Sequence, residues 1–298
     1  MIPYIYTEFE VSHMGIIRPM NPGDYPIVAQ ISNEAAAKAL VGMPTWETAA
    51  EVAATVASLR HAEFIVAEDD AGRVVGFAGY APTEDGGAML FGPLVTVGGH
   101  GIGAWLSSRI ETMARHHGVT YFAMLIGLTN RQGAAWAEWR GYQLDTEFPE
   151  TLLCWVYPGE LKQEQVYGGG SVRKALPEDL DRVEELYRNC YQADTATRAD
   201  WAGWIPSTWV FEEDGQVLGL LHMDLTTAMI RHLCVEQTAR RQGVGARLVV
   251  DAIQSFWRER PAKVGIMLSL DNQSGVSLMR RLGFRREIAV ARWMKRDG

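Results

Sequence analysis

The sequence is poor in cysteine, and the three it has, Cys154, Cys190 and Cys234, lie far apart without metal-ligand spacing. An odd number of thiols and no secretion signal argue for reduced cysteines in the cytoplasm and against a disulfide framework. The plain reading of all three is small core residues. Long apolar runs are missing too. No stretch approaches the roughly 18 residues a spanning helix needs. The opening MIPYIYTEFE has no basic region followed by an apolar one. A membrane span and a signal peptide are therefore both unexpected. Basic charge is scarce in the first half: residues 1–160 hold 8 Lys and Arg against 18 Asp and Glu, a net of −10. That sign repels phosphate backbones and argues against nucleic-acid binding.

What is present suits an ordinary globular chain. Its 298 residues are 47% apolar and 21% charged, enough for two domains with separate cores. Residues 161–298 carry 20 Lys and Arg against 18 Asp and Glu, a net of +2, and suit a compact polyanion better than the first half does.

The chain repeats itself around a polar, glycine-ending linker at 158–171, which predicts domains at 1–157 and 172–298. In the first, a strand GIIRPM leads into helices over about 24–40 and 45–60, the second with Thr45 as N-cap and Thr48 close behind. Strands FIVAED, VVGFAGYA and AMLFGPLVT follow, then a helix over 102–116, a strand YFAMLIGL, a helix over about 132–139 and closing strand material through 156. The second half replays this order. Its helix over 244–259 has Val244, Leu248, Ala252 and Phe256 at intervals of four, a buried face. Gly101, Asn130 and Gly141 recur as Gly243, Asn272 and Gly283, each displaced by 142 residues, and Gly76 recurs as Gly219. This is a duplication of one α/β domain.

The segment HLCVEQTARRQGVGARLVV, residues 232–250, runs a strand through a glycine-containing turn into an amphipathic helix. Gly243 and Gly245 let successive backbone N–H groups converge at a helix N-terminus, where the dipole favours an anion. Arg240 and Arg241 add positive charge beside it. These features predict a diphosphate loop without naming the nucleotide.

Arg240-Arg-Gln-Gly243-Val-Gly245-Ala resembles the acetyl-CoA signature of the GNAT superfamily of N-acyltransferases. Asn272 and Gly283-Phe284 stand where that family has them, and the element order agrees over both halves. The resemblance implies two tandem GNAT-like domains, each a mixed, mostly antiparallel sheet flanked by helices, with the first degenerate. It implies that the strand holding Cys234 and Val235 splays from its neighbour and that the pantetheine arm of acetyl-CoA pairs near Val235. Gln242, Gly243, Val244, Gly245 and Ala246 would hold the diphosphate with Arg240 and Arg241, while Asn272 steadies the cofactor. An amine then attacks the thioester directly, with no metal.

The sequence also departs from that pattern. The family's proton-donating tyrosine, seven residues after the Asn, is here Met279, and Ala137 in the first half. Candidate bases are His222, with Asp224 to orient it, and His232; a water chain ending at Glu236 is the other route. The first half's loop is two residues shorter and has Gly98 at the basic position. Tyr187, Tyr191, Trp201, Trp204 and Trp209 suggest core packing or a cage for a cationic or ring-bearing ligand. The expectation is acetyl transfer to a primary amine of a small molecule. The alternatives are a protein or peptide acetyltransferase and a non-catalytic acyl-CoA-binding module.

Overall fold

The computed structural model describes residues 15–37, 45–83, 85–96, 101–163, 169–191, 196–260 and 262–296. The chain divides into two compact units, Met1–Glu150 with Ile288–Gly298, and Thr151–Glu287. The first unit contains β1 (Ile17–Pro19), α1 (Tyr25–Ala37), α2 (Ala49–Ser58), β2 (Glu63–Glu68), β3 (Val74–Pro82), β4 (Gly87–Val95), α3 (Ile102–His116), β5 (Tyr121–Gly127), α4 (Arg131–Trp139) and β6 (Gln143–Leu144). The second contains β7 (Thr151–Val156), β8 (Ser171–Lys174), α5 (Leu180–Cys190), α6 (Arg198–Trp204), β9 (Thr208–Glu213), β10 (Gln216–Asp224), β11 (Met229–Val235), α7 (Val244–Glu259), β12 (Val264–Ser269) and α8 (Gln273–Arg281). β13 (Arg285–Arg296) ends the chain.

Each unit is a mixed, mostly antiparallel sheet, in the orders β1-β2-β3-β4-β5-β13 and β8-β9-β10-β11-β12-β7. The parallel pairs are β4 with β5 and β11 with β12. Helices cover both faces. In the second unit, Leu186, Tyr187 and Trp201 of α5 and α6 pack with Val210, Leu220 and Cys234 on one face. Leu248, Ile253, Met279 and Leu282 of the α7–α8 region pack with Leu221, Met223 and Ile230 on the other. The four apolar positions predicted to bury α7 are all buried.

The border between units differs from the one expected at 157–172. β7, assigned by its position to the first half, pairs antiparallel with β12 over Thr151–Val156. The end of β13 pairs antiparallel with β5 over Val290–Arg296. Each half thus completes its sheet with the other half's last strand. Alternation and burial identify a strand but carry no information about its partner, so composition alone did not reveal the exchange.

The duplication extends to an ion-pair motif that the glycine spacing did not disclose. Arg18 donates to both Asp24 oxygens at 2.7 and 2.8 Å and to Glu68 at 2.8 Å. Arg173 does the same with Asp179, at 2.6 and 3.0 Å, and with Glu212 at 2.7 Å. Both link the first strand to the helix start and to the next strand. At α2 the N-cap is Thr48, whose hydroxyl accepts the Glu51 N–H, and not Thr45. Leu40, Gly98 and linker residues 164–168 lie outside the described residues.

Candidate functional site

The site begins with a ladder that stops early. β11 and β12 pair only at Met229 with Gly265 and Ile230 with Ile266. Beyond those residues the strands have no paired register. On its other side β11 is antiparallel to β10, with His222 opposite His232, Leu221 opposite Leu233 and Gly219 opposite Val235. Glu236 donates its N–H to Leu218 O at 2.8 Å, which fixes which pairs bond. Hydrogen-bonded pairs alternate along an antiparallel ladder, so the N–H and C=O groups of Leu233 and Val235 point away from β10 and into the gap.

Two side chains from the end of α5 meet that edge. The Tyr191 hydroxyl accepts the Leu233 N–H at 3.4 Å. The Cys190 sulfur accepts the Val235 N–H. The Val235 carbonyl accepts from Arg240 Nε at 3.0 Å, and Arg240 Nη2 also reaches Cys190 Sγ at 3.8 Å. Sequence reasoning left Tyr191 between core packing and an aromatic cage and placed Cys190 in the core. Their contact with β11 depends on where α5 ends, some forty residues upstream, and no local signal announces it.

The loop after β11 behaves as its glycines require. Gly243 is the N-cap of α7 with φ 85, a left-handed conformation that costs most side chains energy, and no side chain caps this helix end. Arg241 precedes it at φ 62 and is exposed. The first amides of α7, from Val244 to Ala246, have no partner one turn back, while the Val244 and Ala246 side chains are buried in the core. A Cβ at Gly245 meets only Leu278 at 3.5 Å and Val235 at 3.6 Å. The fold itself therefore does not demand glycine there; open approach to the backbone is what a side chain would cost. Gln242 Nε2 donates to Thr238 O at 2.8 Å and braces the loop from within.

The other cofactor candidates are placed as follows. Cys234 is 1% exposed and packs on the α5–α6 face. Asn272 caps α8, its Oδ1 accepting the Gly275 N–H at 2.9 Å, just as Asn130 Oδ1 accepts from Gly133 at 2.8 Å. Helix capping thus accounts for Asn272 without a cofactor. Met279 is 1% exposed in the α7–α8 core, so its side chain packs there rather than presenting itself to a ligand. A tyrosine at 279 would overfill that core, at a typical cost of about 1–3 kcal/mol.

At the root of the gap lies a cavity of about 610 Å³. Its walls include Trp204, His222, Asp224, Arg231, His232 and Met267. Trp204 stacks on His222 with centroids 4.8 Å apart and planes at 14°. His222 stacks in turn on His232 at 5.5 Å and 17°. Tyr187, Tyr191 and Trp201 pack edge-on or tilted around His232 at 5.0–5.6 Å. Four of the five aromatics singled out in the sequence therefore converge here. Trp209 does not: it lies in the α7–α8 core with Lys174 Nζ 3.3 Å above its ring.

Asp224 does not orient His222. Its oxygens accept from Thr226 N, Thr227 N, Thr227 Oγ1 and Arg231 Nη2, so it closes the turn after β10. Glu236 is likewise engaged, by the Gln237 N–H and by Arg182. His222 is 4% exposed, and its Nδ1 has no hydrogen-bond partner. Burial, with the charges of His232 and Arg231, pushes its pKa down to about 4. The ring is neutral at neutral pH and is a weak base. In the unfolded chain the same imidazole titrates near 6.5. The unfolded state therefore binds the extra proton between pH 6.5 and 4, and folding stability falls as the pH drops through that window. The full effect is roughly 3 kcal/mol. Denaturant titrations at pH 7 and pH 4.5 should show a smaller loss for His222→Phe than for the native protein; equal losses would contradict the assignment.

The first unit keeps the gap but not the histidine pair. β4 and β5 pair at three positions and then part, and Gly101 caps α3 at φ 72. Where the second unit sets His222 against His232, the first sets Gly79 against Phe91. A Cβ on Gly79 would stand 2.1 Å from the Phe64 ring, and Phe64, Phe91, Phe77 and Trp46 pack together there.

Residues 205–286 match the family described as acetyltransferase (GNAT) domain. No curated protein matches the chain in sequence. Among solved structures, the chain is similar to a GCN5-related N-acetyltransferase from Sphaerobacter thermophilus, with TM-score 0.71, 18% identity, and coverage of 95% of this chain and 96% of that one. It is also similar to a tandem GNAT protein from the clavulanic acid biosynthesis pathway, with TM-score 0.63, 17% identity and coverage of 95% and 98%. A third is a GCN5-related N-acetyltransferase from Kribbella flavida, with TM-score 0.53, 15% identity and coverage of 92% and 97%. At these identities the likeness establishes the tandem fold.

Proposed function

We propose that this GNAT acetyltransferase domain, residues 205–286 within the second unit, takes acetyl-CoA as donor and transfers its acetyl group to a primary amine of a small molecule. The observation that carries the reading is the edge of β11 that β12 leaves unpaired beyond Ile230, where the outward N–H groups of Leu233 and Val235 meet the Tyr191 hydroxyl and the Cys190 sulfur rather than a strand, between the α7 N-terminus and the cavity at the root of the gap. An extended thioester needs such an edge for its amides and carbonyl, an anion site at one end and a pocket for the acceptor at the other. The N-terminal amides of α7 supply the anion site, with Arg240 and Arg241 beside it.

The chain's own groups then have distinct tasks. The Leu233 N–H polarises the thioester carbonyl and stabilises the oxyanion that forms when the amine attacks. His232, half-buried in the cavity wall, receives the amine proton, while neutral His222 orients the amine as an acceptor. The Tyr191 hydroxyl, already on the Leu233 N–H, is displaced by the carbonyl and protonates the departing thiolate. No covalent enzyme intermediate is needed; positioning supplies most of the acceleration.

Tyr191→Phe should lower kcat by about 10²-fold or more, the usual contribution of one positioned acid, with little change in the KM for acetyl-CoA. A rise in KM with kcat preserved would make Tyr191 a packing residue. The chain's net charge of −8 favours cationic amines through steering, and a cavity of about 610 Å³ walled by Trp204, His222 and His232 has room for a small acceptor.

A further inference from the structure

We infer that Cys190 is a thiol-modification site for low-molecular-weight disulfides of the CoA type, and that Cys234 resolves the adduct into an intraprotein disulfide. The two residues are 44 positions apart in sequence but adjacent in space. Cys190 ends α5 and is half-buried; Cys234 lies beneath it on β11 and is 1% exposed. The Cys234 thiol donates to the Cys190 sulfur, the Val235 N–H donates to it as well, and the Arg240 guanidinium stands 3.8 Å away. Two donors and a cation around one sulfur stabilise its anion. These contacts, the Cys234 hydrogen bond foremost, pull the Cys190 thiol down to about 6, against the opposing effect of burial. Cys154 is the contrast: buried in the α7–α8 core, its thiol is pushed up to about 12.

The CoA preference rests on the proposed function. Arg240 touches the Cys190 sulfur, and the same residue lies at the loop assigned to the diphosphate. A disulfide carrying that nucleotide is therefore bound with its sulfurs in the channel that Cys190 lines. The Cys190 thiolate attacks one sulfur of R–S–S–R; a new S–S bond forms, the old one breaks, and R–S⁻ leaves with the electron pair. Cys234 then gives its proton to water and attacks the Cys190 sulfur, expelling the second R–S⁻. Two electrons pass from the protein thiols to the small disulfide, which is reduced to two thiolates. The product ties α5 to β11 beside Val235, fixes the neighbouring Tyr191 on the Leu233 N–H and removes the thiolate that faces Arg240. Acetyl-CoA binding is lost until a thiol reductant restores the pair.

The test is intact-mass analysis of the full chain treated with CoA disulfide or with oxidised glutathione. The native protein should lose two hydrogens without retaining an adduct. Cys234→Ser and Cys234→Ala should each retain one CoA moiety, and Cys190→Ser should retain none. CoA disulfide should react at least tenfold faster than oxidised glutathione. Equal rates, an adduct on Cys190→Ser, or no trapped adduct in either Cys234 variant overturns the inference. Heat stabilisation by acetyl-CoA is measured alongside on the reduced protein. Binding without any adduct sinks the thiol site alone, whereas no binding sinks the reading on which the CoA preference rests.

Discussion

Gly245→Glu is expected to abolish the heat stabilisation that acetyl-CoA gives this protein, whereas Gly103→Glu is expected to leave it nearly intact. At a ligand concentration a hundredfold above Kd, binding stabilises the folded state by about 2.7 kcal/mol, and the first variant should forfeit all of it. The reason is local. Gly245 lies in the first turn of α7, where a carboxylate would meet the incoming diphosphate in both volume and charge. Its Cβ has ordinary contacts at 3.5 and 3.6 Å, so the unliganded fold tolerates the change. Gly243 is a less clean target, because its φ of 85 adds backbone strain to any substitution. Gly103 is the counterpart on α3, with Pro93 at 3.8 Å and no histidine pair at the matching strand position. If Gly103→Glu removes the shift and Gly245→Glu preserves it, the wrong unit has been assigned the donor.

The largest stability effect should come from the first unit, far from that loop. Glu111 on α3 is 2% exposed and receives Lys295 at 2.8 Å, Tyr142 at 2.9 Å, Arg140 at 3.1 Å and Ser107 at 3.1 Å. Burial alone would raise its pKa, but Lys295 and Arg140 hold the carboxyl below its ordinary value. Glu111→Ala leaves three cations, Lys295, Arg140 and Arg115, and a phenol facing a space with no anion. Breaking a buried ionic cluster on one side typically costs about 3–5 kcal/mol, read here as a shift in urea midpoint at unchanged m. Glu111→Gln keeps the shape and two acceptor lone pairs and should cost less. A loss under about 1 kcal/mol for the alanine variant would mean that water already satisfies the cluster. Lys295 lies on β13, so this cluster also ties the chain's last strand to α3.

The parts of the fold that were legible in the sequence are those where the backbone leaves one residue type little competition. Gly243 and Gly283 sit at φ 85 and 100, and their spacing from Gly101 and Gly141 exposed the duplication before any strand was paired. The boundaries of α7 followed from a glycine N-cap and an apolar face of unbroken period. The candidate site was legible only in part. His232 was found because it lies on the strand expected to carry the thioester, and His222 because alternation puts it on one face with Asp224, yet Asp224 was assigned to His222 when an Asp-Leu-Thr-Thr turn was the nearer claim on its oxygens. Asn272 has a structural role the sequence also announced: Asn-x-x-Gly recurs at both α4 and α8, a capping signal whose glycine makes room for the amide. Tyr191, Cys190 and the exchanged strands were out of reach because each depends on a partner dozens of residues away.

The most direct test is the release of CoA thiol from acetyl-CoA by the reduced protein across a panel of small primary amines, with product mass recorded. The account predicts that at least one amine gives saturable, amine-dependent release matched one for one by N-acetylated product, and that Gly245→Glu abolishes both. Acetyl-CoA binding with no amine-dependent release would contradict it and leave the second unit a binding module.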